Sequence, residues 1–395
     1  MNDERPVRVL IVASHPVQYA SPQFRGYAAD PRLDVTVAYC SLEGAEEAHD
    51  PDFDATFAWD VPLLDGYRWE LVPNRSRRPS LRGAIGLVNT GLWSLIRRER
   101  YDVVISLIGY RSVSSWIAIA AAKLRRVPLV LTLDAHVVRP VDGKDWKVPI
   151  KRLVLPLIFR IPEGVFAPSS RTADYVHRMG VRTPVFLTPY VVDTQFFRDR
   201  SAVADCAATR RAWGVPDGAF VALFVGKFAP WKRPGDVLEA IARLPDAWAV
   251  MAGDGPLRRE LERTADRLGV RDRVRFLGFV PQTELPAAYA SADVLMLPSE
   301  YEAFGVVANE MFAACHPAVV SDACGCRGDL VRDDETGFVV EVGDVAGYAR
   351  ALGNLARDPD LAARMGKAAA DRLDTWGPAQ NREAVVEASR ALAGR

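Results

Sequence analysis

The chain of 395 residues is long enough for two domains of roughly 100–200 residues each. Hydrophobic residues make up 49% and charged residues 25%, as in ordinary globular proteins, and there is no uncharged apolar run of about 18 residues that would predict a membrane-spanning helix. The formal net charge is zero, but residues 75–182 carry 20 basic against 7 acidic residues, a surplus of 13 that attracts anions. This surplus favours an anionic membrane surface or an acidic acceptor. Nucleic acid ranks last, because the sequence contains no nucleic-acid-binding motif.

The N-terminus and the cysteines predict the compartment. The first residues are charged and lead directly into a strand, unlike a secretory signal. Five cysteines, an odd number without a close pairing pattern, are typical of reduced thiols. We expect a cytoplasmic protein, with peripheral attachment to the inner face of a membrane as an option.

Short apolar runs alternate with helical patterns through the first half of the chain. Unbroken runs of Val, Ile and Leu indicate strands buried on both faces, as in a parallel sheet covered by helices. A stretch of small residues at 112–123 is one of the helices between them. The predicted strands are 7–14, 33–40, 101–109, 127–134 and 163–170.

The same alternation starts again in the second half. The polar stretch 197–211 separates the two series and has no strand pattern. Two successive series predict an α/β protein with two doubly wound, Rossmann-like domains, at 1–205 and 206–375. The remaining residues, 376–395, contain a helix that can pack back on the first domain. The predicted strands of the second half are 219–227, 248–254, 274–280, 292–299 and 316–322.

Two lysines follow the first strand of the second half, in the segment GKFAPWKRP. Ligands bind at the carboxyl ends of parallel strands, and ammonium groups there suit a diphosphate. Gly226, Lys227 and Lys232 are therefore candidate phosphate-binding residues, and the alternative is two surface lysines. After the next strand, Gly253 and Gly255 form a turn that lets the backbone approach a ligand, without the G-x-G-x-x-G spacing of dinucleotide sites.

The most informative segment is 292–314, ADVLMLPSEYEAFGVVANEMFAA. A buried strand is followed by a polar loop and by a helix that we expect to begin near Phe304 to Val306. The amides of Gly305 and Val306 then lie in the first turn, where unpaired N–H donors and the helix dipole favour phosphate oxygens. Glu310 can accept hydrogen bonds from ribose hydroxyls. Glu302 lies where a sugar attached to the phosphate would sit.

This segment and its surroundings, about 220–340, resemble family 4 of the retaining glycosyltransferases. The family has the GT-B architecture, in which two Rossmann-like domains face each other, and its E-x7-E motif matches Glu302 and Glu310. The resemblance implies that Glu302 contacts the donor sugar near the reaction centre and that Glu310 holds the ribose. It also implies that Phe279 and Val280 frame the nucleobase.

The chain departs from the family pattern at two positions. The family usually has arginine where this chain has Lys227, so the charge is kept but the bidentate fork is lost. The family's Pro-Asn-Gly-Val-Asp corresponds to PYVVD at 189–193, where Tyr190 and Val191 replace Asn-Gly. We expect the turn geometry at that position to differ.

Three polar residues of the first half are candidates by the same resemblance. The strand that ends near 134 corresponds to one that often leads into a His-bearing loop reaching the donor sugar. Asp134 and His136 both lie there, and both are candidates for that catalytic position. His15 follows the first strand, where the family carries an acceptor-side loop, so we place it on the acceptor side.

The segment DPDFD at 50–54 could be taken for a metal site. The spacing of an EF-hand requires Gly and Glu where this chain has Ala55 and Val61. The D-x-D motif of metal-dependent transferases follows a buried strand, and no strand pattern precedes this segment. We interpret it as a solvated acidic loop and expect no bound metal, with lysines and helix amides neutralising the diphosphate.

Three functions are compatible with these patterns. The favoured one is transfer of a sugar from a UDP-, GDP- or ADP-linked donor to a hydroxyl of a glycan, a lipid-linked molecule or a small natural product, without a bound cofactor. An epimerase of the same fold would need further carboxylates or histidines over the sugar. A non-catalytic sugar-nucleotide binder attached to a membrane is favoured by segment 149–161, which is apolar with basic residues near both ends; a buried helix is the alternative.

Overall fold

The computed structural model describes residues 5–46, 59–137 and 146–394, together with the backbone of 48–50 and 55–57. These residues form two compact units. The first unit consists of residues 5–46, 62–190 and 378–394, and the second of 48–61 and 191–377, within the described parts of each range. Two α/β units, each built on a parallel sheet, confirm the predicted fold class.

The sheet of the first unit has seven parallel strands in the order β5-β2-β1-β6-β7-β8-β9. Its central strands are runs of Val, Ile and Leu that are buried along their length, because helices cover both faces. The two edge strands, β5 and β9, are short and largely accessible, and the apolar runs did not predict them. The strands are β1 (Val7–Ala13), β2 (Leu33–Tyr39), β5 (Arg68–Leu71), β6 (Val103–Ser106), β7 (Leu129–Thr132), β8 (Gly164–Ala167) and β9 (Val185–Leu187).

The helices of the first unit form two apolar layers with this sheet. The last helix of the chain belongs to this unit: Asn381 donates to the carbonyl of Pro189 over 2.8 Å, and Val385 is buried in the core. The helices are α1 (Ser21–Ala28), α2 (Gly91–Arg98), α3 (Val113–Arg125), α4 (Lys147–Ile158), α5 (Ser170–Arg178) and α14 (Pro378–Ala393).

The sheet of the second unit has six parallel strands in the order β12-β11-β10-β13-β14-β15. The register is regular from β10 to β11, and a bulge between Met251 and Ala252 interrupts the pairing of β11 with β12. The strands are β10 (Phe220–Val225), β11 (Ala247–Ala252), β12 (Val274–Gly278), β13 (Val294–Leu297), β14 (Ala318–Ser321) and β15 (Gly337–Val340).

The first two helices of the second unit, α6 and α7, cover most of the stretch 197–211, where no strand was expected. Asp193 and Asp205 cap these two helices by accepting hydrogen bonds from backbone amides at the third helical position. The helices are α6 (Thr194–Ala202), α7 (Cys206–Ala212), α8 (Pro234–Ala242), α9 (Arg258–Arg267), α10 (Leu285–Ala290), α11 (Val307–Ala313), α12 (Val345–Arg357) and α13 (Pro359–Arg372).

A short antiparallel pair, β3 (Ala48–Asp50) and β4 (Ala55–Phe57), comes from the first half of the sequence but belongs to the second unit. Most of the acidic segment DPDFD lies outside the described residues. Among the helices that the structure describes, none combines the length and apolar character needed to cross a membrane.

Candidate donor and acceptor sites

The predicted phosphate-binding residues lie at the topological switch point of the second sheet. The chain runs from β10 outward to β11 and β12, and then returns to β13 on the other side of β10. The loops that follow β10 and β13 therefore leave the sheet edge side by side, in the crevice where open α/β sheets bind ligands. The first loop carries Lys227 and Lys232, and the second carries Glu302 and Gly305.

Glycines let the loops at this edge pack closely. A Cβ atom at Gly253 would lie 1.9 Å from the carbonyl oxygen of Gly226, and one at Gly255 would lie 2.9 Å from that of Phe228. Gly226, Gly253 and Gly255 have φ values of 149°, 150° and 147°, which other residues rarely adopt. At Gly253 and Gly255, the close approach that excludes a side chain is thus between two backbone loops of the site itself.

Lys232 and Glu302 form an ion pair between the two loops. Lys232 ends a short 3₁₀ turn (Pro230–Lys232), and the amide of Glu300 donates to the carbonyl of Trp231 over 2.8 Å. Both paired side chains are mostly buried, with 20% and 15% of their surfaces exposed. The predicted phosphate-binding lysine and the predicted sugar-binding glutamate are therefore neighbours. Lys227 lies in the same loop and is half-buried.

Helix α11 begins at Val307, one to three residues later than expected, with Val306 as its N-cap. Gly305 has a φ of 102°, a left-handed value that turns the chain from the loop into the helix. Phe304 is buried, and its carbonyl accepts from the amide of Cys326 over 2.8 Å. This bond ties the loop after β13 to the loop after β14.

Glu310 is buried in the second unit and is held by two side chains that the sequence did not indicate. Tyr289 on α10 donates to Oε2 over 2.5 Å, and Nε2 of Gln282 lies 3.4 Å from Oε1. Burial raises the pKa of Glu310 to about 7, although the hydrogen bonds from Tyr289 and Gln282 act in the opposite direction. The carboxyl group therefore changes charge near neutral pH.

The predicted base-framing residues contact a segment from the first half of the chain. Phe279 follows β12, and its ring lies 6.3 Å from that of Trp59. Asp60 accepts from the amides of Gln282 and Thr283 over 2.9 and 3.0 Å, and from the Thr283 hydroxyl. Burial would raise the pKa of Asp60, but these hydrogen bonds outweigh it and lower that pKa. Val280, next to Phe279, is half-buried.

The polar candidates of the first unit separate into two environments. His15 and Asp134 line one cavity, whereas His136 is buried and is not part of its described lining. The Ser14 hydroxyl lies 2.9 Å from Nδ1 of His15, and burial lowers the pKa of His15 to about 4. Asp134 is accessible to solvent, but desolvation by the surrounding protein raises its pKa.

Fold and site together define a class of protein with two doubly wound units, one of which groups lysines, a buried glutamate and glycine-rich loops at its switch point. Comparisons with known families agree. The family described as "Glycosyl transferases group 1" matches residues 206–372 of the chain, and the family described as "Glycosyl transferase 4-like domain" matches residues 16–190.

Curated relatives carry transferase names. The chain is 39% identical over 305 residues to a D-inositol 3-phosphate glycosyltransferase of Streptomyces scabiei, covering 72% of this chain and 67% of that protein. It is 33% identical over 221 residues to an alpha-D-kanosaminyltransferase of Streptomyces kanamyceticus, covering 55% of this chain and 54% of that protein. The chain thus spans about two thirds or less of the length of these relatives.

Solved structures show the same fold. HepE of Anabaena, solved with UDP and glucose, superposes with a TM-score of 0.73 at 19% identity, covering 97% of this chain and 99% of the other. Sucrose-phosphate synthase from Thermosynechococcus elongatus gives a TM-score of 0.72 at 19% identity, covering 98% of this chain and 99% of the other.

By its family matches and curated relatives, the chain belongs to family 4 of the glycosyltransferases, and it has the GT-B fold. The relatives favour a transferase over the epimerase and the non-catalytic binder.

Proposed function

We propose that the protein transfers a sugar from a nucleoside diphosphate sugar to an acceptor hydroxyl with retention of anomeric configuration and without a bound metal. The observation that carries the proposal is the grouping at one sheet edge of the Lys232–Glu302 ion pair and the buried Glu310. A cation, a sugar-facing carboxylate and a ribose-facing carboxylate suit the three parts of such a donor.

The proposed donor pose follows the loops of the second unit. The diphosphate lies against Lys227, Lys232 and the amides of Gly305 and Val306, which stabilise the charge that develops on the leaving group. Glu310 accepts from the ribose hydroxyls, and the base lies beside Phe279 and Val280. Glu302 accepts from the sugar hydroxyls while it fixes the ammonium group of Lys232.

The proposed chemistry is a displacement on one face of the sugar. The acceptor oxygen bonds to the anomeric carbon as the bond from that carbon to the diphosphate oxygen breaks, and the same diphosphate oxygen takes the acceptor's proton. The acceptor lies in the first unit. There we assign Asp134 and His15 to the acceptor side, because they share a cavity, and we give His136 a structural role because it is buried.

The test is a panel of UDP-, GDP- and ADP-linked sugars, with release of nucleoside diphosphate as the readout. We propose a UDP-linked donor, supported by the UDP complex of the structural neighbour HepE. The wild type should release UDP, and a variant carrying both Lys232→Ala and Glu310→Ala should not. Undiminished release by the double variant would contradict the assignment of Lys232 and Glu310 to the donor site. Release of GDP or ADP alone would contradict the proposal of a UDP-linked donor.

A second proposal concerns attachment to an anionic membrane surface, and it rests on helix α4. Ile150, Leu153 and Leu157 are 51%, 73% and 56% exposed. Their spacing places them on one helical face, while Leu155 and Ile158 pack into the core. Lys147 and Lys151 are on the same helix. An exposed apolar stripe beside lysines suits the interface of an anionic bilayer.

Sedimentation with vesicles tests this attachment. We expect the wild type to pellet with vesicles containing anionic lipid, less so at high salt because screening weakens the electrostatic part. Leu153→Glu should abolish pelleting, whereas Val203→Glu, at an 83% exposed position of the second unit, should not. Equal pelleting of both variants would contradict the role of α4.

A further inference from the structure

Residues 59–61 come from the first half of the sequence but belong to the second unit. The described residues before 48 and from 62 to 190 belong to the first unit. The residues proposed to hold the nucleotide all come from the second half of the chain, so the donor pose uses none of these three. Trp59 is nevertheless partly buried against the second unit, where its ring contacts Phe279.

The carboxylate of Asp60 fixes this segment to the turn that precedes α10. In that turn two later amides donate to the carbonyl of Pro281, so the amides of Gln282 and Thr283 are first-turn donors that need an acceptor from elsewhere. Asp60 accepts from both, over 2.9 and 3.0 Å, and also from the Thr283 hydroxyl. It thus acts as an N-cap supplied by a distant part of the chain. Trp59 is therefore next to a residue that is held by three hydrogen bonds.

The same turn connects this segment to the proposed positions of the ribose and the base. Nε2 of Gln282 lies 3.4 Å from Oε1 of Glu310, which the donor pose assigns to the ribose. The ring of Trp59 lies 6.3 Å from that of Phe279, which the donor pose places beside the base. A base that lies beside Phe279, with its ribose at Glu310, is therefore also beside Trp59.

The two aromatic rings form an open corner. Their centroid distance of 6.3 Å lies within the range of direct ring contact, about 4.5–7 Å, and their planes meet at 55°. A base therefore does not fit between them. Trp59 and Phe279 are both partly accessible, so neither ring is fully covered by protein. A planar base can stack on the indole while its edge meets the ring of Phe279.

We propose that Trp59 binds the nucleobase of the donor by stacking its indole on the base. The inference rests on the proposed function and adds a binding residue to the donor site. Every base has a π face, so this contact raises the affinity for the nucleotide without selecting one base. Loss of one such stacking contact lowers affinity by about fivefold to 150-fold. Asp60 does not touch the base in this scheme and is a positioning residue for Trp59.

Three variants test the contact by calorimetry with UDP at pH 8, where Glu310 is largely ionised. Trp59→Phe keeps an aromatic face, and we expect its Kd to stay close to that of the wild type. Trp59→Leu keeps an apolar side chain without that face, and its Kd should rise by about fivefold or more. Trp93→Leu, at a 38% exposed tryptophan on α2 of the first unit, is the matched control and should bind UDP as the wild type does. Unchanged binding by Trp59→Leu, or equally weak binding by both Trp59 variants, would overturn the proposal.

A ligand without a base separates stacking from mere support of the turn. Inorganic pyrophosphate offers the diphosphate alone, so Trp59→Leu should bind it as the wild type does. UDP should quench a component of the wild-type tryptophan fluorescence that Trp59→Phe lacks, because a base stacked on an indole quenches its emission, and pyrophosphate should leave that component unchanged. Absence of the component, or equal weakening of UDP and pyrophosphate binding in Trp59→Leu, would contradict a contact with the base.

Failure of this inference and failure of the proposed function give different results. If the wild type binds UDP and both Trp59 variants bind it equally well, the donor site stands and Trp59 is not part of it. If the wild type binds none of UDP, GDP and ADP, the proposed function itself fails. If it binds GDP or ADP in place of UDP, the same variants are compared with that nucleotide.

Discussion

The two candidate sites of the molecule are built in different ways. The donor site in the second unit is charged, and its members come from a few loops: Lys232 pairs with Glu302, and Glu310 is enclosed by Tyr289 and Gln282. The cavity of the first unit lacks basic residues in its described lining and is assembled from many strand ends and the C-terminal helix. The diphosphate and ribose that sugar nucleotides share are bound by specific charged groups. An acceptor that differs between related enzymes is bound mainly through the shape of its cavity.

Removal of Lys232 should have the largest effect. Loss of one donor that stabilises developing negative charge typically lowers rates by about 10²–10³. We expect Lys232→Ala to lower kcat/KM by about that factor in steady-state assays of nucleoside diphosphate release. Lys367→Ala is the matched control, since that lysine is 77% exposed and pairs with Asp371 on the surface of the same unit. Equal activity of the two variants would show that Lys232 does not stabilise the leaving group.

The charge of Glu310 should make donor binding depend on pH. Its pKa is about 7, and hydrogen bonds from ribose favour the ionised form. Binding therefore releases a proton below pH 7. We expect the Kd for UDP to fall about tenfold per pH unit as pH rises toward 7 and to level off above it. Calorimetry between pH 5.5 and 9.5 measures this, and Glu310→Gln should bind weakly at every pH. A flat wild-type profile would contradict the assignment.

Tyr289 should set the midpoint of that profile. Its hydroxyl stabilises the ionised form of Glu310, and a hydrogen bond to a charged group contributes about 1.5–3 kcal/mol. Tyr289→Phe should therefore move the midpoint upward by about one pH unit or more. Donor affinity would be about tenfold weaker at pH 7 and would recover at pH 9. Tyr348→Phe, at another buried tyrosine of the second unit, is the control and should leave the midpoint unchanged. A midpoint that stays near 7 in both variants would exclude this role for Tyr289.

The smallest of these effects should follow from changes at Asp60. Asp60→Asn weakens three hydrogen bonds that hold residues 282 and 283, and a loss of about 1 kcal/mol corresponds to a fewfold rise in the donor KM. Asp360→Asn, exposed on α13, should have no effect. If both variants behave like the wild type, the segment from the first half of the chain does not support the donor site.

The sequence predicted the features that depend on contiguous residues. Buried runs of Val, Ile and Leu predicted the central strands, and the pattern after β13 placed Glu310 in a helix. Gly305, expected in the first turn of that helix, lies in the loop before it. The apolar pattern did not predict edge strands such as β5, because these strands are short and largely accessible to solvent. Tyr289, Gln282 and Asp60 were missed because their bonds join residues between 21 and 223 positions apart, and no sequence spacing encodes such pairs.

The cavity could not be predicted for a related reason. Its lining includes one or two residues from the end of each of several strands. None of these residues stands in a sequence pattern that by itself indicates a binding site. After β7, Asp134 lines the cavity, whereas His136 is buried and is not part of its described lining, and our proposed assignment of the two residues rests on that difference.

The most direct test of a division between a donor site and an acceptor cavity is a two-substrate kinetic analysis of Glu310→Gln and Thr188→Leu in one assay, since Thr188 is buried in the lining of the cavity. We predict that Glu310→Gln raises the donor KM by tenfold or more and leaves the acceptor KM unchanged, and that Thr188→Leu does the reverse. If Thr188→Leu weakened donor binding as strongly as Glu310→Gln does, the two sites would not be separate, and the account would be wrong.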